Sequence, residues 1–137
     1  IKLSATGDTQ YIVDRLKGST NAGYILAVTK NGRIRVLLGN GTTLYIKTTS
    51  TLQISWDTWH HIAVTYNTSS GKVYAYLDGV QEELPDFSGN IADANRALQI
   101  SSEWFSSYVK GIIDEVRIYN RALTKEEIWT LYEEEFP

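Results

Sequence analysis

The sequence predicts an all-β fold, an antiparallel sandwich closed by one short C-terminal helix. Three observations point there. Short runs rich in β-branched and aromatic residues recur along the chain, turn formers separate them at intervals of about 8–12 residues, and helical spacing is confined to the C-terminal end. A chain of 137 residues is long enough for one domain with a real core.

The elements follow in order. Ile1 and Leu3 alternate like the tail of a strand. Residues 10–16 read as a strand, and 17–23, made of Gly, Ser, Thr and Asn, as a loop. Strands at 24–29 and 33–38 flank Lys30-Asn31-Gly32, whose Asn-Gly pair signals a tight turn. A turn at Gly39-Asn40-Gly41 leads to a strand at 43–48 and a short apolar stretch at 52–54. Trp56-Asp57-Thr58-Trp59 then introduces a hairpin of two alternating runs, 60–66 and 72–77, joined by Asn67-Thr68-Ser69-Ser70-Gly71. A five-residue connection predicts Tyr66 opposite Lys72, Val64 opposite Tyr74 and Ile62 opposite Tyr76. One face then carries Ile62, Val64, Tyr66, Tyr74 and Tyr76, and the other His61, Ala63, Thr65, Val73, Ala75 and Leu77. Neither face is polar, so the hairpin belongs in the middle of a sheet with a second layer against it.

Asp78-Gly79 is a further turn into a short strand at 80–84, residues 85–96 are a loop, and 97–101 and 109–119 are again extended. Thr124-Lys125-Glu126-Glu127 is a capping box, with Leu123 and Ile128 placed for a hydrophobic staple. Ile128, Leu131 and Tyr132 recur at helical spacing, so the tail is an amphipathic helix lying on the sandwich, with Trp129 as its anchor.

Composition narrows function. A net charge of −3 argues against nucleic acid, which needs a basic surface. No apolar run approaches a membrane span, and no signal-peptide pattern opens the chain. Without cysteine there are no disulfides and no thiol chemistry.

Three stretches together, WHHIAVTYNTSSGKVYAYLDG at 59–79, GIIDEVRIYNRALTKEEI at 111–128 and YIVDRLKGSTNAGYILAV at 11–28, resemble the laminin-G-like domains of the concanavalin A-like lectin/glucanase superfamily. The resemblance implies a jelly roll of two curved antiparallel sheets. It also implies an accessory module of a secreted or cell-surface protein, binding glycans or proteins, often with calcium at the rim. Family members begin with two further strands, of which Ile1-Lys2-Leu3 is similar to the last residues of the second. Without them the fold has an open edge and a gap in its core, to be filled by an unseen segment or by another chain.

Candidate residues divide by chemistry. Retaining glycosidases need two carboxyls about 5 Å apart, and no acidic pair alternates along one strand here; Asp114 and Glu115 are neighbours and point to opposite faces. A catalytic role is therefore not expected. His60 and His61 are adjacent and cannot chelate one metal together; His61 is expected to face the opposite sheet as a hydrogen-bonded core residue, with Trp59 also in the core. Ile112, Asp114, Val116 and Ile118 are expected on one face of a strand, which leaves Asp114 needing backbone amides, His61 or a cation. If the partner is calcium, Asp114 is its ligand and Asp93 a second. Glu115 and Arg117 are placed for an ion pair.

Aromatic rings stack on the apolar face of a sugar, while amide and charged groups bind its hydroxyls. Trp104, Phe105 and Tyr108 among serines, with Asn95 and Arg96 near in sequence, form one candidate sugar site; Tyr74 and Tyr76 form a second platform. Asn40-Gly41-Thr42 and Asn67-Thr68-Ser69 match the glycosylation pattern. The expected function is a non-catalytic carbohydrate-binding module recognising a glycan or polysaccharide. The alternative is an adhesive interaction domain whose sheet is completed by a neighbouring domain or subunit.

Overall fold

The computed structural model describes residues 1–101 and 107–136. Its strands are β1 (Lys2–Leu3), β2 (Gln10–Asp14), β3 (Ala22–Val28), β4 (Arg33–Asn40), β5 (Leu44–Gln53), β6 (Ile62–Tyr66), β7 (Val73–Leu77), β8 (Val80–Leu84), β9 (Gln99–Ile100) and β10 (Gly111–Ile112). A 3-10 turn at Gly18–Thr20 and the helix α1 (Lys125–Glu135) complete it. Five strands form one antiparallel sheet in the order β5-β4-β3-β2-β9, three form a second in the order β6-β7-β8, and β1 pairs with β10. A bridge from Lys2 to Trp59 ties β1 to the chain leading into β6.

The core lies between the layers. Ile12, Val28, Ile34, Val36 and Leu38 from the larger sheet meet Val73, Ala75, Leu77 and Leu84 from the smaller, with Leu3 and Phe87 between them. Each Val, Leu, Ile or Phe side chain among them stabilises the fold by about 1.5–3 kcal/mol through removal from water. A smaller cluster of Tyr11, Leu16, Ile25, Ala27 and Leu37 covers the other face of the large sheet. A third, of Tyr76, Leu123 and Ile128, seats α1 on the small one.

The hairpin pairs Ile62 with Leu77, Val64 with Ala75 and Tyr66 with Val73, one residue away from the expected register. The reason is local. Asn67 and Lys72 form the closing pair, with the Asn67 amide on the Lys72 carbonyl at 3.0 Å, leaving four residues to turn rather than five. The Asn67 Oδ1 atom accepts the Ser69 and Ser70 amides, and Gly71 takes a φ of +75°. One step of register moves every partner to the other face. Ile62, Val64 and Tyr66 therefore look inward with Val73, Ala75 and Leu77, and Ala63, Tyr74 and Tyr76 meet the helix. Period two carries the correction upstream: His60 is buried, while Trp59, expected in the core, is 39% exposed.

Two extended runs are shorter than expected, Gln99–Ile100 and Gly111–Ile112. After β10 the chain leaves the sheet, with Glu115 at a φ of +50°, so 113–119 has no strand face for Asp114 to share with Val116 and Ile118. The stretch at 52–54 is absorbed into and beyond β5. The capping box is as read: the Thr124 hydroxyl accepts the Glu127 amide and the Glu127 carboxylate accepts the Thr124 amide.

Candidate functional site

β7 places Tyr74 and Tyr76 two residues apart on the outer face of the small sheet, and the start of α1 crosses one end of that face. Between them lies a cavity of about 350 Å³ lined by Thr65, Asn67, Lys72, Tyr74, Gln81 and Lys125, among others. Tyr76 forms its floor: the ring is buried under Leu123 and Ile128, burial pushes its phenol up, and the hydroxyl accepts the Gln81 side-chain amide at 3.2 Å. Tyr74 is only half-buried. Lys72 is held in place by Glu83 at 2.7 Å and Asp86 at 3.1 Å, and these hydrogen bonds, Glu83 first, raise its pKa. The two carboxylates bridged by Lys72 thus hold a cation between them. A half-exposed ring beside fixed amide and ammonium groups suits a polar ligand with one apolar face.

The other candidates lie elsewhere. Asp93, Asn95 and Arg96 come together at the end of β2, where they clasp a loop. Arg15 donates to Asp93 at 2.9 Å and to the Arg96 carbonyl at 3.1 Å; Asp93 also accepts the Asn95 amide. Arg96 reaches the Leu16 carbonyl and the Gln99 side chain. Tyr108 is 57% exposed. Trp104 and Phe105 lie outside the described residues.

Asp114 is exposed, and its Oδ1 accepts the amide of Glu115 at 2.9 Å. Asp93 is taken by Arg15, and among the described residues no group of three or more His, Asp or Glu side chains is gathered. Asp93 and Asp114, the two candidate calcium ligands, are each hydrogen-bonded within their own surroundings. Arg117 pairs with Glu115 at 3.0 Å, as expected, and with Glu135 at 2.9 Å.

A polar chain that the sequence did not single out runs Ser55–His60–Asp78. The Ser55 hydroxyl is 2.9 Å from His60 Nε2, and His60 Nδ1 is 2.7 Å from Asp78 Oδ2. This is the hydrogen-bond order of a nucleophilic triad. The Ser55 amide, however, also donates to Nε2 at 3.1 Å, so the imidazole acceptor that a serine nucleophile would need is already occupied. Asp78 Oδ1 accepts the His61 amide at 2.9 Å. The chain clasps the 55–60 turn onto the β7–β8 turn. His61 is half-buried on the outer side, 6.3 Å from the Tyr132 ring, with no partner for Nδ1 among the described residues, and burial lowers its pKa. The sequence signal for the clasp was the His-His pair followed by Asp78-Gly79, an acid in a two-residue turn.

Residues 1–129 match the laminin G family model described as the concanavalin A-like lectin/glucanases superfamily. No curated protein sequence matches the chain. Among solved structures, the heptameric SAP-like pentraxin of Limulus polyphemus is similar at 14% identity and a TM-score of 0.66, over 96% of this chain and 66% of that one. The CBM40 of the Ruminococcus gnavus IT-sialidase is similar at 14% identity and a TM-score of 0.69, over 96% and 78%. A second structure of that CBM40, at a TM-score of 0.68 and the same identity and coverage, is bound to α2,3-sialyllactose. The chain thus spans just under two thirds of the pentraxin's length. At these identities the likeness is one of fold.

Proposed function

The chain belongs to the concanavalin A-like lectin/glucanase superfamily, and we propose that it is a non-catalytic carbohydrate-binding module of a larger secreted or cell-surface protein. The observation that carries this reading is the cavity on the outer face of β6–β8, where the Tyr74 ring lies beside Asn67, Lys72, Gln81 and Lys125. Tyr74 stacks on a sugar ring, and the amides and ammonium groups take its hydroxyls or a carboxylate. No step in this reading needs a nucleophile or a metal. Among the described residues no helix is long and apolar enough to cross a membrane.

A glycan array that includes α2,3-sialyllactose and neutral polysaccharides tests it. Tyr74→Ala is expected to lower affinity at least tenfold, about 1.4 kcal/mol, with the fold retained by circular dichroism. If Trp104→Ala abolishes binding and Tyr74→Ala does not, the site is at Trp104 instead. No binding to any glycan overturns the reading.

A further inference from the structure

The cavity between the Tyr74 face and the start of α1 is unevenly charged. Among the described residues its walls hold two ammonium groups, Lys72 and Lys125, and no carboxylate side chain. The two lysines are in different states. Lys72 Nζ is held by Glu83 at 2.7 Å and by Asp86 at 3.1 Å. An ammonium has three N–H donors, so one is left for a ligand. Its single positive charge faces two negative ones. This corner of the cavity therefore offers a hydrogen bond but no net attraction to an anion.

Lys125 is the opposite case. It is exposed at the first position of α1, and among the described residues it makes no ion pair. Glu126, the next residue, and Glu127, engaged by Arg121 at 2.7 Å, both lie outside the cavity wall. The start of α1 lies over Tyr76, which packs under Leu123 and Ile128, whereas Lys72 precedes β7. The extended chain from Lys72 to Tyr76 covers about 13 Å, so the two ammonium groups are rooted at different ends of the cavity. An anion brought to the Lys72 end meets Glu83 and Asp86; at the other end it meets an unpaired cation.

We propose that this cavity takes an acidic sugar whose one anionic group, a carboxylate or a sulfate ester, pairs with Lys125. Ring hydroxyls accept from Lys72, and the apolar face of the ring lies on Tyr74. The proposal rests on the carbohydrate-binding reading and narrows it, with Lys125 as the residue that determines specificity. Because Lys125 is exposed, its pull is modest and falls with salt.

The test compares sugars that share a core and differ in charge: lactose with α2,3-sialyllactose and 3′-sulfolactose, and cellobiose with cellobiuronic acid. Affinities are measured by NMR titration of the full chain, its Lys125→Gln variant and its Lys125→Arg variant, at about 20 and about 200 mM salt. At low salt at least one acidic sugar is expected to bind about fivefold more tightly than its neutral parent, a preference that shrinks at high salt. Lys125→Gln is expected to abolish the preference and Lys125→Arg to keep it, both with unchanged circular dichroism. Preference for sialyllactose or cellobiuronic acid assigns a carboxylate, and preference for sulfolactose a sulfate ester. Neutral parents that bind as tightly as their acidic derivatives overturn the proposal and leave the carbohydrate-binding reading standing. So does an acid preference that survives in Lys125→Gln, which puts the anion elsewhere. If no acidic probe binds at millimolar concentration the proposal is overturned, and if the glycan array is blank as well the reading falls with it.

Discussion

Glu82 sits on the edge strand β8, where an acidic side chain ordinarily does no more than face water. Here its carboxylate accepts the Ser50, Thr51 and Leu52 amides at 2.5, 3.0 and 2.9 Å, and the Ser50 and Thr51 hydroxyls at 3.0 and 2.6 Å. It thereby pins β8 to β5 across the two sheets. Burial alone would raise this carboxyl, but the Thr51 hydroxyl and the three amides outweigh it and pull it down to about 2. The sign follows. Unfolded, the group titrates near 4.5, so its contribution is complete above that pH and is lost as pH falls from about 4.5 to about 2. Glu82→Gln is expected to cost about 1–2 kcal/mol at pH 7, a figure kept low because solvent reaches the carboxylate. Urea midpoints of the two proteins should differ at pH 7 and converge near pH 2. None of this was visible in the chain order, because the partners lie about thirty residues upstream on another sheet.

At the scale of elements, α1 was legible to its first residue because a capping box is a local device, and every atom in it lies within four residues. The hairpin was legible in kind but not in register, since Asn67 could close on Gly71 or on Lys72 and only the backbone chooses. The β7–β8 turn carries a tertiary constraint of its own. Gly79 has a φ of +75°, and a Cβ there would meet Trp129 Cε3 at 2.4 Å, so the helix anchor packs directly on the turn. Gly79→Ala is expected to lower the melting temperature by several degrees and to expose Trp129, read as a red shift in its fluorescence; an unshifted spectrum would show that α1 is not seated there. Thr124→Ala removes the cap and is expected to cost about 1 kcal/mol, seen as lost helical circular dichroism before global unfolding.

For the whole molecule, the two acids named as calcium ligands are occupied in different places, Asp93 by Arg15 and Asp114 by its own loop. EDTA is therefore expected to leave the melting temperature unmoved; a fall reversed by added calcium would put a cation on the described surface after all. The sequence by itself determined the all-β class, the order of the strands, the capped helix and the family, because alternation, turn chemistry and capping are short-range properties written in neighbouring residues. It also offered Tyr74 and Tyr76 as a candidate platform. Only the tertiary structure decided that Tyr76 is floor and Tyr74 wall, that His60 rather than His61 is the buried histidine, and that Asp114 is exposed. The reason is physical: a strand's faces are exchanged by a single step of register, and that step is set by how distant strands pair and pack.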